Sequence, residues 1–459
     1  MKIRIAFPIL ILLGPFTGHA QQNSAVQQIP DLKSLPDMTQ QLQQQIEANR
    51  GNLRLSGEEF FRITAPLEFD LRKHGAIKIS ANEGATLVMD GLGPALKIIG
   101  GHEGTASPKS FKPQTWSERM PIVSDIEILG SHPMADGIQL QGTVGAVVSR
   151  VSVRWCRHGI HLADRNRNVV VSDCHLYENS GIGVFLDDVN LHQINVNGSH
   201  ISYNRGGGIV VRDGNVRNLQ VSGCDIEANM PGDETPTQTA NILIDVAGSA
   251  DDKTKSIAEI SITGCTIQHS ANYSGSESKT TAPGGANIRL AGKEIYPIDS
   301  VTITGNVLSD TTTNIDINYS TDVVIGANNF FAPKPANLTV ANSKRVNVTG
   351  NTFNPRQFAR PGTILFTNTH DSILSSCTIH AFATDSGAVI LDSCSGMTLN
   401  ALNLSECGSG FRLQNSEDVT ISNCRITRTT AGGFEYHADG TNKRIQLSGN
   451  TFAKDTARD

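Results

Sequence analysis

The chain has 459 residues and a formal net charge of −6. That balance offers no basic footprint for nucleic acid, and any polyanionic ligand would need a local cationic patch or a bridging cation. Only 18% of residues are charged and 5% aromatic, while Gly, Asn, Ser and Thr are abundant, a composition that suits many short strands joined by turns better than a helical protein.

In chain order, residues 1–20 read as an export signal. Lys2 and Arg4 precede the apolar run Ile5 to Leu13, and Gly18-His19-Ala20 supplies the small residues of a cleavage site. No later stretch has spanning length, so the mature chain is expected to be soluble, without a membrane span, and secreted or periplasmic. Residues 21–49 form a loose Gln-rich segment and a short capping helix over Met38 to Ala48. Residues 50–121 are read as first irregular coils with an inserted loop, and 122–459 as a regular stack with a short tail.

The regular part rests on two alternating patterns from about Ile122 to Lys454. One includes VSVRWC, VVVSDCHL, LQVSGCDI and VTITGNVL; the other includes DGIQLQG, HGIHLAD, IGVFLDD, GGIVVRD, ANILIDV and ANIRLAG. A cycle takes about 22 to 25 residues, within the solenoid range. Units this short cannot bury their own apolar face, so they must stack, with coils about 4.8 Å apart and equivalent residues in columns. The fold class is therefore all-β, a parallel β-helix with an N-terminal cap. Cys156, Cys174, Cys224, Cys265, Cys377 and Cys424 are assigned one repeat position, where other coils carry Ser199, Asn306, Asn351 and Asn450. Free, buried thiols are the expected state of the ladder; Cys394 and Cys407 fall off it and are the better candidates should a disulfide form.

Over about residues 50–455 these patterns resemble the pectin-lyase-like superfamily of right-handed β-helix proteins. The resemblance implies a right-handed single-stranded coil and a substrate groove along one parallel sheet, walled by loops. That superfamily includes polysaccharide lyases, glycoside hydrolases, epimerases, tailspikes and adhesins, some of which trimerise. It implies an extracellular polysaccharide as partner and is compatible with a homo-oligomer, but does not name the reaction. The polygalacturonase-type signature is incomplete. Asp136-Gly137-Ile138 resembles its first element, yet Met134 replaces the Asn, Arg157-His158 replaces the acid pair of the next coil, and Asp187-Asp188 follows its strand instead of preceding it. The Asp-Pro-His-Asp motif of alginate epimerases does not occur.

With Ile138, Ile160, Val184, Ile209, Ile242 and Ile288 taken as inward, strand alternation turns two columns outward. One step on stand Gln139, His161, Phe185, Val210, Leu243 and Arg289; three steps on stand Gln141, Ala163, Asp187, Arg212, Asp245 and Ala291. Asp187, Arg212, Asp245 and His161 are the candidate catalytic residues. Arg212 is expected between two carboxylates that sit about 9.6 Å apart at the backbone, near the spacing of inverting glycosidases. In a lyase the carboxylates, with or without calcium, would neutralise a uronate while a basic residue takes a proton. The bland reading of the same residues is a surface salt-bridge ladder. One position further, Asp164, Asp188 and Asp213 each open an Asp-x-Asn string. These read as turn residues, with Asp188 and Asp213 the candidate calcium ligands. Insertions Met230 to Thr239, Ser270 to Gly285 and His102 to Pro121 are expected to wall the groove. Arg289, Trp116, Lys109 and Lys112 are the candidate substrate-binding residues. The expectation is a polysaccharide-cleaving enzyme, a lyase ahead of a hydrolase because these basic residues face the acids. A non-catalytic glycan-binding or surface-structural protein is the competing class.

Overall fold

The computed structural model describes residues 31–452, apart from 58, 83, 106, 232–234, 247–255, 270–281, 357–360, 428 and 430–432. The export signal, the start of the Gln-rich segment, most of the Ser270 to Gly285 insertion and the tail after Phe452 lie outside the described residues.

Alternating apolar residues lay each strand in parallel on its counterpart one coil away. Among the described residues this makes a 27-stranded and a 15-stranded sheet. The larger sheet bends once per coil, and some strands run through the bend, as Ile160–Ser172 and Ile182–Asn197 do. The expected inward column is in register, Ile138↔Ile160↔Val184↔Ile209↔Ile242↔Ile288. All six are fully buried. Removing such columns from water is the main favourable term in a stack of this kind. At the N-terminal end the helix Thr39–Ala48 buries Leu42 and Ile46 over the first coils. Gln43 Nε2 donates to the Glu68 carbonyl (3.1 Å) and its Oε1 accepts from the Glu68 N–H (3.0 Å), so the cap is fastened as well as packed.

The corners carry buried polar ladders. Asn179, Asn204, Asn229, Asn241, Asn287, Asn314 and Asn337 stack so that each Nδ2 donates to the next Oδ1, at 2.7–3.0 Å. Asn satisfies this slot because it is donor and acceptor at once.

The thiols need two corrections. The Cys156 N–H donates to Asn179 Oδ1, so Cys156 begins the Asn ladder and not the Cys/Ser/Asn ladder of Cys174 and Ser199. Cys394 and Cys407 do not pair. Cys394 donates its thiol to the Phe366 and Asp392 carbonyls at one corner, and Cys407 donates to those of Ile379 and Ser405 at another. All eight cysteines are free and buried.

Candidate functional site

The site is built where the chain turns the corner at His158 and enters the strand Ile160–Ser172. Asp136, 3% exposed, receives Arg157 through Nε (2.9 Å) and Nη2 (2.6 Å) and also accepts the His158 N–H (3.1 Å). This charge-assisted fork fixes the turn. His158 Nδ1 accepts from the Ile182 N–H at 3.1 Å, which leaves the proton on Nε2. Burial pushes this imidazole down to about 4, so it is neutral at pH 7 and serves as a donor.

That shift makes stability pH-dependent. The folded value lies below the unfolded one near 6.5, so the unfolded chain binds the extra proton as pH falls. Stability should be flat above about pH 6.5 and fall on the order of 2–3 kcal/mol by about pH 4. Denaturant titrations of wild type and His158→Gln across that range should show the variant with a shallower loss. Equal losses would remove His158 as a cause.

Phe185, one rung from His161, organises the remaining groups. His161 stacks on its ring at 5.3 Å with 14° between planes, and His158 lies 5.1 Å from it. The two imidazoles are 6.0 Å apart. His161 Nε2 sits 3.3 Å from Asp187 Oδ2, close enough for an ion pair when protonated but not aligned as a hydrogen bond. The Arg212 guanidinium carbon stands 5.4 Å over the Phe185 ring.

The columns hold, Asp187↔Arg212↔Asp245, but Arg212 does not bridge the two acids. Asp187 lies by His161 instead, and among the described residues Arg212 has no carboxylate partner and remains exposed. The ring attracts the cation at little desolvation cost, whereas a surface ion pair gains little against the entropy of holding two side chains.

Arg289 requires the largest correction. It is 8% exposed. Its Nε donates to Asp316 (2.8 Å), Nη2 to the Gly284 carbonyl (2.6 Å), and Nη1 to the carbonyls of Gln238 and Thr239. Arg289 therefore ties the described loop residues Gln238, Thr239 and Gly284 to the sheet. On the neighbouring coils Phe185, Val210 and Leu243 form an apolar cluster with Ile182, Ala240 and Ala286. Arg289→Ala should lower unfolding stability by about 2–4 kcal/mol, since it removes the charge-assisted hydrogen bonds by which a largely buried guanidinium joins Asp316 to the Gln238, Thr239 and Gly284 carbonyls. Denaturant midpoints measure this, and a loss under 1 kcal/mol would show that these loop residues are held by other contacts.

Trp116, Lys109 and Lys112 lie at the opposite, downstream end of the strands. Their insertion joins the sheet there, with the Gly100 N–H donating to Gln141 and Arg165 Nε to the Glu103 carbonyl. Trp116 is 44% exposed beneath Arg119, and Lys112 is 3.8 Å from Glu103. Glu103, the partner of Lys112, lines a cleft of about 630 Å³ together with Arg72, His102, Gln141, Asp164 and Arg165.

Asp164, Asp188 and Asp213 occupy left-handed bend positions, φ 54°, 42° and 56°. That conformation suits Asp and accounts for them as turn residues. Among the described residues no three His, Cys, Asp or Glu side chains, Asp188 and Asp213 included, are grouped to hold a metal ion.

His158 and the Asp136–Arg157 fork were missing from the candidates. The signal available was His158-Gly159-Ile160-His161, two imidazoles flanking the Gly-Ile step at the corner.

Residues 127–250 match the family described as right-handed β-helix region, and residues 258–457 match the one described as periplasmic copper-binding protein (NosD). No curated protein matches the sequence. The mannuronan C-5 epimerase A-module of Azotobacter vinelandii is similar in structure, with 14% identity, TM-score 0.43, and 92% of this chain and 97% of that one covered. So is the catalytic unit of a GH87 α-1,3-glucanase from Streptomyces thermodiastaticus, with 14% identity, TM-score 0.43, and 93% and 68% covered. Tailspike protein 3 of bacteriophage CBA120 shows 12% identity and TM-score 0.46, with 90% and 59% covered. These likenesses concern the fold alone. The described residues do not fit copper in the second matched segment. Cys377, Cys394, Cys407 and Cys424 donate to backbone carbonyls, and His370 and His380 are held by Ser395 and Ser405.

Proposed function

We propose that this parallel β-helix cleaves an extracellular acidic polysaccharide by β-elimination at the cluster around Phe185. The observation that carries this reading is Arg212, an exposed guanidinium without a carboxylate partner among the described residues, held over Phe185 beside the His161–Asp187 pair. A cation so placed suits the carboxylate of a uronate, and neutralising that carboxylate acidifies the neighbouring C–H. His161 takes that proton, with Asp187 stabilising the imidazolium that forms. As the C–H electron pair forms the double bond, the glycosidic C–O bond breaks and its oxygen leaves with the bonding pair; His158, neutral with its proton on Nε2, donates a hydrogen bond to that oxygen, which takes its proton from solvent water. Arg212 is not assigned the base, since its side chain does not lose its proton at working pH. No described helix is long and apolar enough to cross a membrane, which is compatible with action outside the cytoplasm.

One feature favours hydrolysis instead: Asp187 and Asp245 are two rungs apart on the same outward column, about 9.6 Å at the backbone. The test is incubation with plant, algal and host glycans, following ultraviolet absorbance of unsaturated uronate and new reducing ends together. Both signals support elimination. Reducing ends alone transfer the assignment to the acid pair, and silence with retained binding leaves a glycan-binding protein.

A further inference from the structure

We infer that the corner bearing Trp155, Tyr177 and Tyr203 is a second contact site for the polysaccharide, around the edge from the reacting cluster; this rests on the polysaccharide reading above. The whole chain has two Trp and six Tyr, and these three fall on successive coils at one corner. Arg154 lies over both neighbouring rings, 4.5 Å from Trp155 and 4.9 Å from Tyr177. Glu178 accepts from Arg154 Nε (2.5 Å) and from Trp155 Nε1 (3.0 Å), so the indole is pinned by its polar edge at the surface. Tyr203 is 42% exposed. On the same outer sheet face His175 and His200 stack at 4.9 Å, with 7° between planes.

Trp155 and Tyr203 both have left-handed backbones, φ 58° and 61°. Glu178 between them has the same conformation, φ 55°, so Trp155 and Tyr203 hold one corner position on alternate coils. Flat rings with polar edges suit the apolar C–H faces and hydroxyls of pyranose rings. The corner also lies close along the chain to the proposed site. Trp155 is three residues before His158, a reach of about 10 Å. A polymer held at His161 therefore extends over this corner, one coil after another.

The test uses full-length protein made non-cleaving by His161→Ala, carrying Trp116→Phe so that Trp155 is the sole indole. Polygalacturonate, alginate and hyaluronate chains are titrated while its emission is followed. In the same non-cleaving background with Trp116 retained, Trp155→Ala and the milder Tyr203→Ser are compared by calorimetry, with unfolding midpoints checked. We expect a change in Trp155 emission with one polymer and about tenfold weaker binding in the variants. Unchanged affinity in both folded variants overturns the corner site while leaving cleavage by wild type intact. A Trp155 response without cleavage by wild type keeps the corner site and removes the lyase reading. Absence of binding by all three polymers defeats both.

Discussion

His161→Ala should lower turnover of the acidic polysaccharide by about 10²–10⁴-fold, the range expected when a positioned general base is removed. The imidazole is stacked on Phe185 and faces Asp187, so its loss removes the proton acceptor without opening the main core. The unfolding midpoint should therefore move little while the initial rate at saturating polymer collapses. His161→Gln preserves some polarity but not basicity, and should be equally inactive. Arg212→Gln should act mainly by removing the cation that meets the uronate, whether bound or in the transition state. If His161→Ala retains more than a tenth of the wild-type rate, the base lies elsewhere on the column and the scheme above is wrong.

The second large effect concerns stability. Asn287 is fully buried in the middle of the Asn ladder. Its Nδ2 donates to Asn314 Oδ1 and to the Ser309 carbonyl, both at 2.8 Å, and its Oδ1 accepts from Asn241 Nδ2 at 2.8 Å. Asn287→Ala leaves one donor and two acceptors in an environment water does not reach. Each unsatisfied group costs about 1–3 kcal/mol, so the expected loss is about 3–5 kcal/mol after partial relaxation. Because a solenoid is stabilised coil against coil, the damage should concentrate near the altered rung. Hydrogen exchange should show faster opening there, with the N-terminal coils spared. A loss below about 1 kcal/mol would mean that water or rearranged amides replace the ladder.

The inward column was legible because alternation and repeat length act together. A shift of one residue would put Ile160 or Ile209 in solvent, so the register of His161, Asp187 and Arg212 followed from sequence alone. What a side chain does once it points outward was not legible. Phe185 and Arg289 stand on the same outward column as His161, yet loop carbonyls hold Arg289 and Phe185 packs among apolar neighbours, because loops obey no repeat. Arg212 had two neighbouring acids and one neighbouring ring available, and column position cannot choose among them. The corner assignments failed for a simpler reason. VSVRWC and VVVSDC both end in Cys, but Cys156 follows a strand of the smaller sheet and Cys174 a strand of the larger one. The Asn of the recurring Ala-Asn-Ile strings reads as a polar interruption until the coil pitch stacks it into a ladder.

The most direct measurement compares one acidic polysaccharide with its carboxyl-reduced counterpart, following the ultraviolet absorbance of unsaturated product. Elimination assisted by Arg212 and His161 requires the carboxylate, so the acidic polymer should give steadily rising absorbance and the reduced polymer none. Cleavage of both polymers, with reducing ends but no absorbance, would contradict elimination at this cluster.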